Sequence, residues 1–308
     1  MRATKSLSVR TVAVIGAVAA VVAGSVVGTA ATAHAAPGSC PSLYVVAIPG
    51  TWETGVGEAP KPGMLTAVTN AIDGGNIETD YVTYPATAFP WEGDAYGASE
   101  AQAVANASGL LKAKADACPG TRFGIIGYSQ GADAAGDLAA SIGTGAGIVP
   151  ADKIAAVGLI SDPKRSDTDA LVGPKVVGSG VGGPRIGGFG YVSPVTRTFC
   201  AVGDLYCSTP REDFVARLAG FLAVSSDPTP SAIGKYVSEA QALLADLSAV
   251  GGLPALAGQL TDQANEDRVE QIQTFYRSQV HTDYRNYRVD PNGATATSWL
   301  ANYLRDAA

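Results

Sequence analysis

Short unbroken apolar runs along the chain are separated by longer stretches of helical composition. Residues 43–48 (LYVVAI) are apolar throughout and stop at Pro49-Gly50, which predicts a buried strand followed by a loop. Residues 77–84 (IETDYVTY) alternate, are rich in β-branched side chains and end before Pro85, which predicts a second strand. A helix is expected over 99–117, with Ser99 and Gln102 as a capping box and Pro119-Gly120 as its stop. Strand 123–127 (FGIIG) follows, then Tyr128-Ser129-Gln130-Gly131 and an Ala-rich helix to residue 142. Strands are expected again at 154–160 (IAAVGLI) and 195–199. Strands and helices alternating at this spacing predict an α/β domain with a mainly parallel central sheet.

Two segments break the alternation. Residues 164–194 are rich in glycine and carry Pro174, Pro184 and Pro194, so a surface loop or a set of irregular turns is expected. Within it, 178–183 (GSGVGG) fits G-x-G-x-x-G, but a dinucleotide site needs a helix opening from that turn, which Pro184 and Gly187-Gly188 oppose. Residues 210–280 form a helical insertion, with helices expected at 211–223, 231–250 and 261–280. Leu218, Phe221 and Leu222, then Tyr236, Leu243, Leu244 and Leu247, recur at helical spacing, a face for packing on the sheet or covering a site.

The N-terminus changes how the rest is read. Arg2, Lys5 and Arg10 precede an uncharged apolar run from residue 11 to 32, and Ala33-His34-Ala35 has the small-x-small form of a signal-peptidase site. Residues 1–35 are therefore expected to be a cleaved signal peptide, with an uncleaved membrane anchor as the competing possibility. The mature chain, 36–308, is then secreted, either extracellular or cell-wall associated. Its loss of three cations makes it more acidic than the −7 of the full 308 residues. No basic patch is present to neutralise phosphates, which argues against nucleic acid as a partner. No stable protein partner is predicted.

Cys40, Cys118, Cys200 and Cys207 make an even number in an oxidising compartment, so two disulfides are expected from three possible connectivities. Cys200 and Cys207 are close enough in sequence to pair locally, leaving Cys40 with Cys118. Zinc is disfavoured, because there is no C-x-x-C pair and the mature chain keeps one histidine, His281.

Gly127-Tyr128-Ser129-Gln130-Gly131 is a G-x-S-x-G sequence between a predicted strand and a predicted helix, the setting of a nucleophile elbow. A serine needs a base to take its proton, and His281 is the only imidazole left to do so. The third member must be a carboxylate lying between them in sequence. Asp204 sits in the loop closed by Cys200 and Cys207. Asp162 also ends a predicted strand and competes for the role, with capping of the turn at Pro163 as its alternative.

Taken together, GYSQGA at 127–132, Asp162-Pro163, C-x3-D-x2-C at 200–207 and H-x2-Y at 281–284 resemble the cutinase-like serine esterases of the α/β-hydrolase fold. The resemblance implies Ser129 as nucleophile, Asp204 as acid, His281 as base, the same two disulfides, and a structural role for Asp162. It also makes 49–55 (PGTWETG) the oxyanion loop, with Thr51 and Gln130 as donors. It implies ester hydrolysis through an acyl-enzyme, on a lipid, polyester-type or cell-envelope ester, with no metal or organic cofactor. Acyl transfer to envelope lipids uses the same residues and is the nearest alternative. A non-catalytic surface protein on the same fold is the other. The departure from the family pattern is the insertion between Asp204 and His281.

Overall fold

The computed structural model describes residues 40–59, 61, 63–226 and 233–308. The expected signal peptide, 1–35, lies outside them. Five strands, β1 (Leu43–Ile48), β2 (Ile77–Tyr81), β3 (Arg122–Tyr128), β4 (Ile154–Ile160) and β5 (Thr196–Phe199), form one sheet in the order β2-β1-β3-β4-β5, and every pairing is parallel. Parallel strands need crossovers, and helices on both faces bury the sheet, which is why its strands read as continuous apolar runs.

Alternate residues of each strand serve opposite faces. Tyr44, Val46 and Ile48 of β1 join one core with Ala103, Ala107 and Leu111 of α2 (Tyr96–Ala117) and Leu138 and Ile142 of α3 (Gln130–Gly143). Leu43, Val45 and Ala47 join the other, with Val68 and Ile72 of α1 (Thr66–Ile72) and Leu300, Ala301 and Leu304 of α8 (Ala296–Asp306). The fold is thus three layers, α/β/α, as expected. The sequence pattern missed α1 and α8. Helix α8 lies close on the sheet because Gly158 leaves it room; a Cβ there would stand 2.3 Å from Leu300 Cδ1.

Two expectations about elements need correction. Helix α2 begins at Tyr96 after Ala95, so Ser99 is not its cap. Ser99 lies buried inside the helix and its hydroxyl accepts the Thr87 N–H at 3.2 Å. Strand β2 stops at Tyr81, short of residue 84. The glycine-rich 164–194 segment is the set of irregular turns rather than the surface loop, with Lys164, Arg165, Ser179 and Arg185 buried. Its glycines allow close backbone passage: a Cβ on Gly180 would stand 2.1 Å from the Pro163 carbonyl oxygen. Residues 178–183 open no helix, which removes the dinucleotide reading.

Among the described residues of 210–280 there are four helices rather than three: α4 (Phe214–Val224), α5 (Ile233–Ala249), α6 (Gly252–Gly258) and α7 (Asp262–Ser278); the expected helix start at 231 lies outside them. Gly251 and Gly252, both at positive φ, separate α5 from α6. Of the apolar residues at helical spacing, Leu247 is buried, while Leu218, Leu222 and Leu244 are exposed. On α7 only Phe275 is buried.

Candidate active site

The site gathers where the C-terminal ends of β1, β3, β4 and β5 meet their loops. After β3 the chain turns at Ser129 with φ 55 and ψ −123, then enters α3 at Gln130. That turn dictates the flanking glycines. A Cβ on Gly127 would stand 2.1 Å from the Gly131 carbonyl oxygen, and one on Gly131 2.1 Å from that of Ile48. The bend is pinned by the Ser129 N–H, which donates to the Ile160 carbonyl at 2.9 Å.

His281 lies in a short turn, Val280–Thr282, entered from Gln279 at φ 55. Its Nε2 is 3.0 Å from Ser129 Oγ and its Nδ1 is 3.0 Å from Asp204 Oδ2. The ring is held between Tyr206, with centroids 4.4 Å apart, and Tyr128, 5.3 Å away. Tyr128 also donates its hydroxyl to the His281 carbonyl at 2.8 Å.

Asp204 is fully buried in the loop after β5, which the Cys200–Cys207 disulfide closes. Its Oδ2 also accepts the hydroxyls of Ser161 and Tyr284, each at 2.6 Å, and Oδ1 accepts the Tyr206 N–H at 3.1 Å. Burial alone would raise this carboxyl's pKa. The hydrogen bonds and charge of His281, with the bonds from Ser161 and Tyr284, outweigh it and hold the pKa below the ordinary range.

The structure therefore brings Ser129, His281 and Asp204 together and sends Asp162 elsewhere. Asp162 accepts from Arg185 through both carboxylate oxygens and from the Lys164 N–H at 2.9 Å. It belongs to a buried network in which Arg185 and Lys164 also bind Asp133 and Asp137. Gly136 of α3 makes room for this, since a Cβ there would stand 2.3 Å from Arg185 Cζ. Cys40 pairs with Cys118, the second bridge.

Thr51 follows β1 and faces α3. Its hydroxyl approaches Gln130 Oε1 at 3.4 Å, and the buried Gln130 side chain donates to the Thr87 and Tyr96 carbonyls at 2.9 and 3.2 Å. The loop is braced by Glu53, which accepts the N–H groups of Gly50 at 2.9 Å and Met64 at 2.8 Å. Ser161 and the ring-holding Tyr206 escaped the sequence reading, and Tyr128 appeared there only within the G-x-S-x-G pattern. Tyr284 appeared there only within the H-x2-Y pattern. A serine at the end of a strand carries no signal of its own.

Residues 39–221 match the sequence model of the family described as Cutinase. The chain belongs to the cutinase family. It is 31% identical over 208 residues to the carboxylesterase Culp6 homolog of Corynebacterium glutamicum, covering 56% of this chain and 67% of that protein. It is 32% identical over 177 residues to the carboxylesterase Culp1 of Mycobacterium tuberculosis, covering 57% and 72%. Among solved structures, the catalytic core of an acetyl xylan esterase from Trichoderma reesei aligns with 67% of this chain and all of its own, at 19% identity and a TM-score of 0.46. As a cutinase-family member the protein is a carboxylic ester hydrolase, and its substrate is an ester. The family match ends within α4, so α5, α6, α7 and His281 lie beyond it.

Proposed function

We propose that Ser129, His281 and Asp204 are the nucleophile, base and acid of this cutinase-family esterase. The carrying observation is the single imidazole within 3.0 Å of both the serine oxygen and the carboxylate. His281 Nε2 takes the Ser129 proton as Oγ attacks the ester carbonyl, and Asp204 holds the Nδ1 proton and balances the imidazolium. The backbone N–H groups of Thr51 and Gln130 hold the developing oxyanion, the second at the start of α3 where the helix dipole adds to the field. Collapse expels the alcohol with the proton from His281, which then activates water to cleave the acyl-enzyme.

The ester is a lipid or polyester-type ester, including those of a cell envelope. Support comes from exposed apolar side chains next to the site: Trp52 beside Thr51, and Tyr276, whose hydroxyl lies 3.3 Å from that of Tyr206. The protein is secreted after removal of residues 1–35, and 36–308 is one α/β-hydrolase domain with a helical insertion before the base. The two disulfides fit that destination.

A chain-length series of p-nitrophenyl esters tests both parts. Ser129→Ala is expected to lose about 10⁴-fold or more in kcat, and the wild-type rate is expected to peak on long acyl chains. Equal turnover by the two proteins sinks the serine mechanism. A peak at acetyl sinks the lipid or polyester reading and leaves the mechanism standing.

A further inference from the structure

Ser161 directly follows β4 and is fully buried, with a backbone φ of 55. Glycine adopts that conformation freely, whereas a residue with a Cβ is strained in it, and such strain gathers at functional sites. The backbone itself is used conventionally, its N–H donating to the Phe199 carbonyl at 2.8 Å. What serine adds over glycine is one hydroxyl, and its oxygen lies 2.6 Å from Asp204 Oδ2 and 3.0 Å from His281 Nδ1. We propose that Ser161 is a positioning residue of the esterase site, whose hydroxyl bond to Asp204 shares the carboxylate's charge and thereby sets the acid limb of the activity profile. The proposal rests on the Ser129–His281–Asp204 reading.

The direction follows from the groups that face this pair. Asp204 Oδ2 receives Ser161, the Tyr284 hydroxyl and the His281 ring, while Oδ1 receives the Tyr206 amide. The Tyr284 proton is committed to Asp204, because the Tyr284 oxygen already accepts the Ala201 N–H at 2.9 Å. Tyr128 and Tyr206 face the imidazole, and Tyr276 reaches Tyr206. Burial raises the phenols of Tyr128, Tyr206 and Tyr284, so they stay neutral while esters are turned over. Glu53 acts on Tyr128 from the loop after β1, where its carboxylate is bound by the Gly50 and Met64 amides. On the histidine's own turn, Asp283 is engaged by the Asn286 side chain. Removing the Ser161 hydroxyl leaves more negative charge to act on the imidazolium. The acid limb of the rate profile then moves to higher pH.

The test compares pH profiles of kcat and kcat/KM on a p-nitrophenyl ester for wild type, Ser161→Ala and Ser161→Gly. Both variants are expected to move the acid limb up by about half to one pH unit and to lower plateau kcat about 10-fold, with KM little changed, since a bond to a charged group is lost and no substrate contact is. Ser161→Gly is expected to melt above Ser161→Ala because it relieves the strained φ; if the alanine variant fails to fold, the glycine variant decides. An acid limb unmoved, or moved to lower pH, overturns the proposal. Fluorophosphonate labelling keeps the underlying reading separate. If wild-type Ser129 does not label, or labels as fast in His281→Ala, the triad itself has failed. If it labels and depends on His281 while the limb stays put, only the role of Ser161 has failed.

Discussion

At Ser129 the backbone is bent until Gly127 and Gly131 almost touch the neighbouring strand and turn, and no side chain fits at either position. That steric demand is written into adjacent residues, which is why the elbow can be read from five letters. A half-buried carboxylate elsewhere makes a different demand. Burial lifts the Asp169 carboxyl to about 6, although its Oδ2 accepts the Ser166 N–H at 2.8 Å. With the folded-state pKa raised above the ordinary 3.8, ionisation is disfavoured in the native state. Stability from this group is complete below about pH 4 and is lost as pH rises through 6, an effect of up to about 3 kcal/mol. Asp169→Asn should therefore be more stable than wild type at pH 7 by up to about 3 kcal/mol and similar to it near pH 4, as read by urea midpoints. Asp204, whose pKa is lowered, pulls the other way on acidification, but equally in both proteins. A constant difference between the two proteins across that range refutes this account. Of the proposed site, Ser129, Asp204 and His281, which the structure brings together, could be picked out because each sits in a local pattern. Ser161 could not, because the partners that give it meaning come from the loop after β5 and the turn before Tyr284.

Elements were legible where burial leaves a continuous apolar run and obscure where a helix lies among small residues. The strands emerged for the first reason. Helix α8 was missed because its apolar face is short and is matched to a glycine in the sheet rather than to a pattern of its own. The glycine-rich segment after β4 misled more deeply, since its composition hides three cations that turn inward, Lys164, Arg165 and Arg185. Arg185 binds Asp133 and Asp137 of α3 and Asp162 after β4, and Lys164 joins them. Burial opposes the charge on Lys164, but Asp133 and Asp137 outweigh it and hold the ammonium well above its ordinary pKa. This network clamps the segment onto α3, the helix that starts just after Ser129. Removing one member strands the others without countercharge, so Arg185→Met should cost about 3–5 kcal/mol. The exposed Lys112–Asp116 pair on α2, at 2.7 Å, provides the contrast, and Lys112→Met should change stability by less than about 0.5 kcal/mol. Equal effects of the two substitutions would mean that the buried charges are not acting as a network.

Across the whole molecule the two disulfides separate folding stability from site geometry. Cys40–Cys118 spans 78 residues and ties the start of β1 to the end of α2, far from the serine along the strands; Cys200–Cys207 spans 7 and encloses Asp204. Closing the longer loop removes more freedom from the unfolded chain, about 4 kcal/mol against about 2 kcal/mol for the shorter one in the loop-entropy account. The catalytic consequence runs in the reverse order. Without Cys200–Cys207, the backbone that carries Asp204 is held only by hydrogen bonds, among them Asp204 N–H to the Ala201 carbonyl at 3.0 Å, Ser208 N–H to the Asp204 carbonyl at 2.9 Å and Ala201 N–H to the Tyr284 hydroxyl at 2.9 Å, and a carboxylate displaced by a fraction of an ångström holds the imidazole less well. The Cys40→Ala/Cys118→Ala variant should therefore lose more in unfolding free energy while keeping kcat within about twofold. Cys200→Ala/Cys207→Ala should lose less stability and at least about 10-fold in kcat. Urea denaturation and p-nitrophenyl ester kinetics on both double variants read the two quantities separately. If kcat followed stability in the same order, the short bridge would be a staple of the fold like the long one, and the position of Asp204 would be set by the Ser161, Tyr284 and His281 contacts without its help.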